Sequence, residues 1–164
     1  SFEAGNTSYV EQKLNLCAPI DVGNGYDLAM LTYYIPYDMG QNFLSRASYP
    51  EIDEACRVMT GVDDPQNPPS DPLDAFTRWY IEEFHLRRGT PCLTTNYAAN
   101  VAIFQDPSWI GSSTMSGLRQ RYWMYCAQIG QFRGANNGQG HPFGNRFDLR
   151  FFRTWCSDAY QNDM

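Results

Sequence analysis

Residues 119–128 read RQRYWMYCAQ. Arg119 and Arg121 share these ten positions with Tyr122, Trp123, Met124, Tyr125, Cys126 and Gln128. Such a mixture fits neither a uniformly apolar core helix nor a fully solvated one. After the break at Gly111-Ser112-Ser113, a helix is expected from about residue 114 to residue 131, with this run as its body. A second cluster, FFRTWC at residues 151–156, ends in another cysteine thirty positions after Cys126. The two clusters are read as tied together, forming one wall of a substrate pocket whose remaining parts lie outside this chain.

Outward from that stretch the pattern stays helical. Leu28, Leu31, Ile35 and Met39 recur at helical spacing over residues 27–44, with Pro36 expected to kink or break the helix. Tyr33, Tyr34 and Tyr37 give this segment an aromatic surface, suited to core packing or to one flank of a cleft. Tyr49-Pro50-Glu51 opens a further helix that passes through Ile52, Cys56 and Met59 and stops at Gly61. Residues 63–72, DDPQNPPSDP, form a proline-rich loop, the best candidate for an exposed, cleavable connection though not a domain boundary. Asp71 then caps a helix with Pro72 at its first position and Asp74 three residues on. Leu73, Phe76, Tyr80 and Phe84 form its expected buried stripe, and Arg87, Arg88 and Gly89 its end. Residues 96–105 make a short helix closed by Asp106-Pro107, and Asp148 caps a last one over residues 149–159. No run alternates as a strand would, so the fold class expected is all-α, in a single domain over residues 1–164.

Composition narrows the function. The 164 residues carry a net charge of −6, and Lys13 is the single lysine beside eleven arginines. An acidic chain without a basic stripe is a poor nucleic-acid partner. No apolar run approaches the roughly 20 residues a membrane span needs, so no membrane partner is expected. Ser1-Phe2-Glu3-Ala4 has neither the basic start nor the apolar core of a signal peptide and is read as a processed or excised end. Cysteines stand at 17, 56, 92, 126 and 156, far apart and away from histidine, which argues against a zinc site and for disulfides in an oxidising compartment. Five is odd, so one thiol is free or bonded outside the chain. Asn6-Thr7-Ser8 is a glycosylation acceptor pattern in keeping with a secreted glycoprotein.

Catalytic groups are scarce. His85 and His141 are the only imidazoles; His85 is read as a surface or boundary residue, and His141 lies in the glycine-rich loop at residues 134–144, GANNGQGHPFG. That loop lacks the lysine and Ser/Thr of a phosphate-binding loop, and no serine occupies a nucleophile elbow. Glu82-Glu83 and Asp63-Asp64 are read as solvated charges. No catalytic residue, metal or cofactor is assigned to the chain.

The cysteine-bracketed segments nevertheless resemble a known family. Leu14-Asn15-Leu16-Cys17-Ala18-Pro19-Ile20 is similar to an L-x-L-C-x-P-hydrophobic element of the proline-specific serine peptidases. These comprise prolyl carboxypeptidase, dipeptidyl peptidase II and the fungal prolyl endopeptidases. Leu28-Ala29-Met30, Tyr34-Ile35-Pro36-Tyr37 and Asn42-Phe43-Leu44 leading to Cys56, then Cys92-Leu93, then residues 121–128 followed by Cys156, resemble the next elements in order. Together they cover nearly the whole chain. The resemblance implies a disulfide-stapled, bundle-like helical cap domain, one that the family inserts into an α/β-hydrolase domain. It also implies bridges Cys17–Cys92 and Cys126–Cys156, with Cys56 bonded to a cysteine before Ser1. The family's nucleophile, Asp and His would lie outside residues 1–164. The implied partners are the hydrolase domain or chain of the same peptidase and a peptide substrate, in a secreted, lysosomal or vacuolar setting.

Two positions depart from the family pattern: Arg121 stands for its tryptophan and Gln128 for its glutamate. The expected pocket wall consists of Arg121, Trp123, Tyr125, Gln128 and Gln131. Two rivals fit the same composition: a stand-alone secreted binding or structural module that kept the cap fold, and an unrelated secreted helical effector or carrier.

Overall fold

The computed structural model describes residues 7–40, 49–86, 89, 91–108, 110–111, 116–135 and 144–161, without the side chains of Tyr49, Glu83 and Phe84. Asn6, Asn42-Phe43-Leu44, Arg87, Arg88 and His141 lie outside the described residues, as does the Phe84 side chain.

Among the described residues the chain is all-helical. Its helices are α1 (Thr7–Lys13), α2 (Gly25–Asp38), α3 (Tyr49–Thr60), α4 (Pro72–Thr77), α5 (Tyr97–Gln105), α6 (Leu118–Met124) and α7 (Leu149–Tyr160). α4 runs on as a π-helical segment, π1 (Arg78–His85), and α6 as a shorter one, π2 (Tyr125–Ile129). One isolated parallel bridge pairs Leu16 with Leu93. Two disulfides join Cys17 to Cys92 and Cys126 to Cys156, and Cys56 is a free, exposed thiol. These are the pairs that the resemblance implies. No helix among the described residues is long and apolar enough to cross a membrane.

Local chemistry sets the helix starts. The side chains of Asp71, Asn96 and Asp148 accept from the backbone N–H groups of Asp74, Ala99 and Phe151, so each satisfies an otherwise orphaned donor of a first turn. Pro36 does not break α2; it sits inside its last turn, and the helix ends at Asp38. Gly61 ends α3 at φ 68°, and a Cβ there would lie 2.6 Å from Pro69 Cδ.

The chain divides into two compact units. Unit 1 comprises Ser1–Ile20 and Tyr37–Thr94. Here the stripe expected on the fourth helix is only partly realised. Tyr80 is buried as expected, but Leu73 and Phe76 are only half-buried, and Asp74, Thr77, Trp79 and Ile81 are buried as well. Asp74 is drawn inward by its contacts with Lys13, Arg78 and the Ser70 N–H, and beyond Arg78 the i→i+5 bonding of π1 departs from the 3.6-residue repeat. The loop at residues 63–72 is largely exposed but anchored, because Arg78 donates to the carbonyls of Asn67 at 2.7 Å and Pro68 at 3.4 Å. Both ends of that loop lie in unit 1.

Unit 2 comprises Asp21–Pro36 and Thr95–Met164. Its core joins Ala29 and Met30 of α2, Tyr97, Val101 and Phe104 of α5, and Phe151, Phe152, Trp155, Cys156, Ala159 and Tyr160 of α7. Tyr33 and Tyr34 pack against it, Tyr33 meeting Phe152 edge-on at 5.2 Å. Buried Asp27 accepts from Tyr97 N–H at 2.8 Å and so fixes the start of α5 against α2.

Candidate functional site

The helix carrying the expected wall is held in unit 2 by its inward face. Arg119 donates from Nε to the Phe104 carbonyl at 2.9 Å, and its guanidinium lies 5.3 Å from the Tyr160 ring centre. The Tyr160 hydroxyl donates to the Arg119 carbonyl at 2.9 Å. Tyr122 packs edge-on against Phe104 at 5.3 Å and Trp155 at 5.4 Å. One turn further, Cys126 is bonded to Cys156 of α7. Arg119, Tyr122 and Cys126 thus form the docking face at three- and four-residue spacing.

The five predicted wall residues fall in three places. Arg121 and Gln128 are exposed, and Tyr125 between them is half-buried, its ring edge-on to Tyr122 at 5.6 Å. Trp123 is half-buried against the aromatic core, two positions and so about 200° around the helix from Arg121. Gln131 is exposed but lies beyond the helix, which closes at Ile129 rather than at residue 131. Gly130 terminates it in the left-handed conformation at φ 64°, its N–H bonded to the Tyr125 carbonyl. Arg121, Tyr125 and Gln128 therefore remain as a set that can present a ring, a guanidinium and an amide to a ligand. Exposed Met124 and Ile129, the latter 54% accessible, add apolar surface to the same helix.

Unit 1 holds a polar site that the sequence pattern did not reveal. Asp74, only 4% exposed, accepts from Lys13 Nζ, from Arg78 at 2.9 Å and from Ser70 N–H at 2.9 Å. The Lys13 ammonium, then the Ser70 N–H, hold the Asp74 carboxyl far below its ordinary value. The neighbouring Asp71 carboxyl accepts from the Tyr9 hydroxyl at 2.6 Å, which lowers Asp71 and raises Tyr9. Beside this network opens a groove of about 660 Å³ lined by Gln12, Asn15, Asp64, Asn67, Ile81 and Glu82 among others. Its cations are engaged by Asp74, so its open chemistry is that of amides and the Asp64 and Glu82 carboxylates. The available signals were the single lysine and the cap at Asp71; their meeting needed tertiary structure.

His85 is a boundary residue of unit 1. Its Nε2 lies 3.4 Å from Asp38 Oδ2, and its ring stands edge-on to Tyr80 at 4.5 Å. The Tyr80 hydroxyl donates to the same carboxylate oxygen at 3.0 Å, and burial followed by the Asp38 charge pushes the phenol up. Glu82 is exposed, as are Asp63 and Asp64, and Asp63 pairs with Arg57 at 2.6 Å. No group of three or more potential metal ligands occurs among the described residues. The chain matches no family model, no curated protein and no solved structure.

Proposed function

We propose that the chain is the helical cap of a proline-specific serine peptidase, one that gates and lines the substrate cleft while the nucleophile, Asp and His reside elsewhere in the protein. The observation that carries this reading is the cysteine pattern. Two bridges close within the chain, Cys17–Cys92 and Cys126–Cys156, and the fifth thiol stands exposed on α3. That is the arrangement expected of a domain whose remaining cysteine partner belongs to an adjoining segment.

In this role the chain transfers no proton. The Tyr125 ring supplies a flat apolar surface for a proline ring, and the Gln128 amide can donate to or accept from the substrate backbone. Arg121 offers a fixed cation to a carboxylate. Covering the cleft excludes water and strengthens the polar contacts made by the catalytic domain. An amide at residue 128 retains hydrogen bonding but lacks the charge of a carboxylate, which weakens any hold on a substrate amino group. Disulfides persist in oxidising compartments, which supports a secreted, lysosomal or vacuolar setting.

The test uses the protein purified from its natural source without reductant. A fluorophosphonate probe should label a serine in a polypeptide that is contiguous with this chain or disulfide-linked to Cys56. An unlabelled preparation in which Cys56 reacts as a free thiol would overturn the proposal.

A further inference from the structure

The two bridges stand in different surroundings. Cys156 is 4% exposed within the aromatic core of unit 2, and Cys126 packs half-buried against that core. In unit 1, Cys17 is exposed, as are its neighbours Ala18 and Pro19; Cys92 is half-buried between exposed Pro91 and buried Leu93. The Thr94 hydroxyl donates to Cys17 Sγ at 3.3 Å. Thiol–disulfide exchange requires a thiolate to reach a disulfide sulfur, so access separates labile bridges from structural ones.

We propose that Cys17–Cys92 is a redox-labile clasp that a dithiol reductant opens while Cys126–Cys156 stays closed, loosening the α1 segment of unit 1. One thiolate of the reductant attacks Cys17 Sγ. The S–S bond breaks, and Cys92 leaves as a thiolate that takes a proton from solvent. The second reductant thiol then attacks the mixed disulfide and releases Cys17. The protein gains two electrons and two protons, and the dithiol becomes a cyclic disulfide.

The clasp holds a small backbone junction. Cys17 N–H donates to the Leu93 carbonyl and Leu93 N–H to the Asn15 carbonyl, both at 3.0 Å, and Asn15 Nδ2 donates to the Pro91 carbonyl at 2.8 Å. With the clasp open, α1 keeps this junction and its contacts to α4, Tyr9 to Asp71 and Lys13 to Asp74. The Lys13–Asp74 attraction is weakened by salt, since Lys13 remains partly exposed. Opening therefore converts a covalently fixed strap into a salt-sensitive one.

The experiment takes the native protein with any free thiol blocked by N-ethylmaleimide, exposes it to limiting dithiothreitol, and quenches with an isotopically distinct alkylating agent for peptide mapping, the comparison being confined to the peptides of the two intrachain bridges. Cys17 and Cys92 should label about tenfold faster than Cys126 and Cys156, because exchange needs access to a disulfide sulfur. Hydrogen exchange on the partly reduced protein should then accelerate over α1 and remain unchanged over α7. Equal labelling of the two bridges, or faster labelling of Cys126 and Cys156, overturns the clasp. Unchanged exchange in α1 once Cys17 is fully labelled overturns the loosening.

Discussion

Unit 1 and unit 2 each hold a disulfide and a few helices, yet their interiors rely on different forces. Unit 2 is organised by rings. Phe104, Tyr122, Phe151, Phe152, Trp155 and Tyr160 meet largely edge-on, and the bridge at Cys156 is enclosed among them. Unit 1 buries Trp79, Tyr80 and Ile81, but its N-terminal helix contributes no buried residue. α1 is fixed by charges and hydroxyls gathered on Asp71 and Asp74, and by an exposed bridge. Apolar burial is indifferent to pH and little affected by salt, whereas charge contacts answer to both. The same chain thus carries a durable half and a conditionally fastened one.

The largest effect expected is the loss of Trp155. Its indole N–H donates to Asn100 Oδ1 at 2.8 Å, and its ring contacts Phe104 at 4.9 Å and Tyr122 at 5.4 Å. Trp155→Ala should cost about 3–5 kcal/mol, the range for deleting a buried large aromatic, and it also strands the Asn100 acceptor. Urea unfolding followed by near-ultraviolet circular dichroism measures it. A cost below about 1 kcal/mol would mean that rings do not hold unit 2, since ordinary surface substitutions fall in that range.

Next comes acid, which should act on unit 1. The folded-state pKa of Asp74 is depressed by Lys13 and that of Asp71 by Tyr9, from an ordinary value of 3.8. A depressed carboxylate contributes stability that is complete above the unfolded value and lost as pH falls through the folded one. The α1–α4 contacts should therefore survive at pH 5 and loosen progressively below about pH 4. Brief pepsin digestion at pH 3 should cut within residues 7–20 before it cuts α7. Asp74→Asn should bring that early cutting up to pH 5. Cleavage in α7 first at either pH would reverse the contrast.

The contrast also explains what could be read from the chain alone. Asp71, Asn96 and Asp148 announce their helices because capping is local chemistry, and the missing alternation suffices for the all-α class. The cluster at residues 151–156 was legible as a partner of Cys126 but not as core: read as pocket wall, its Phe151, Phe152 and Trp155 are instead buried in unit 2. α1 was not anticipated because Thr7–Lys13 has no apolar stripe; partners more than sixty positions away hold it. In the fourth helix Tyr80 is buried as its spacing predicts, but Leu73 and Phe76 stay half-buried, and nothing in RWYIEEFH marks the i→i+5 turn that follows them. Buried Asp74 ran against the ordinary placement of carboxylates and became intelligible only with Lys13 and Arg78 beside it. Of the predicted wall, the tie through Cys126 and Cys156 was legible. Which of its residues face outward was not, because that depends on where Gly130 ends the helix.

The smallest stability effects should fall on the outward set, and this makes it the most discriminating place to test function. Arg121 and Gln128 are exposed on a helix whose docking residues are Arg119, Tyr122 and Cys126. Truncating either to alanine should change stability by no more than about 0.5 kcal/mol, as for other exposed positions without a buried partner. If the chain is the proposed peptidase cap and these side chains meet a peptide substrate, the same changes should raise KM and leave kcat nearly unaltered, the signature of lost uniform binding. Gln128→Glu should act in the opposite direction for a substrate presenting an amino group, because it restores a charge-assisted hydrogen bond. Equal loss of kcat and kcat/KM would instead place residue 128 at the transition state. No kinetic change from any of the three variants would detach the wall from the cleft and leave it as the outer surface of unit 2.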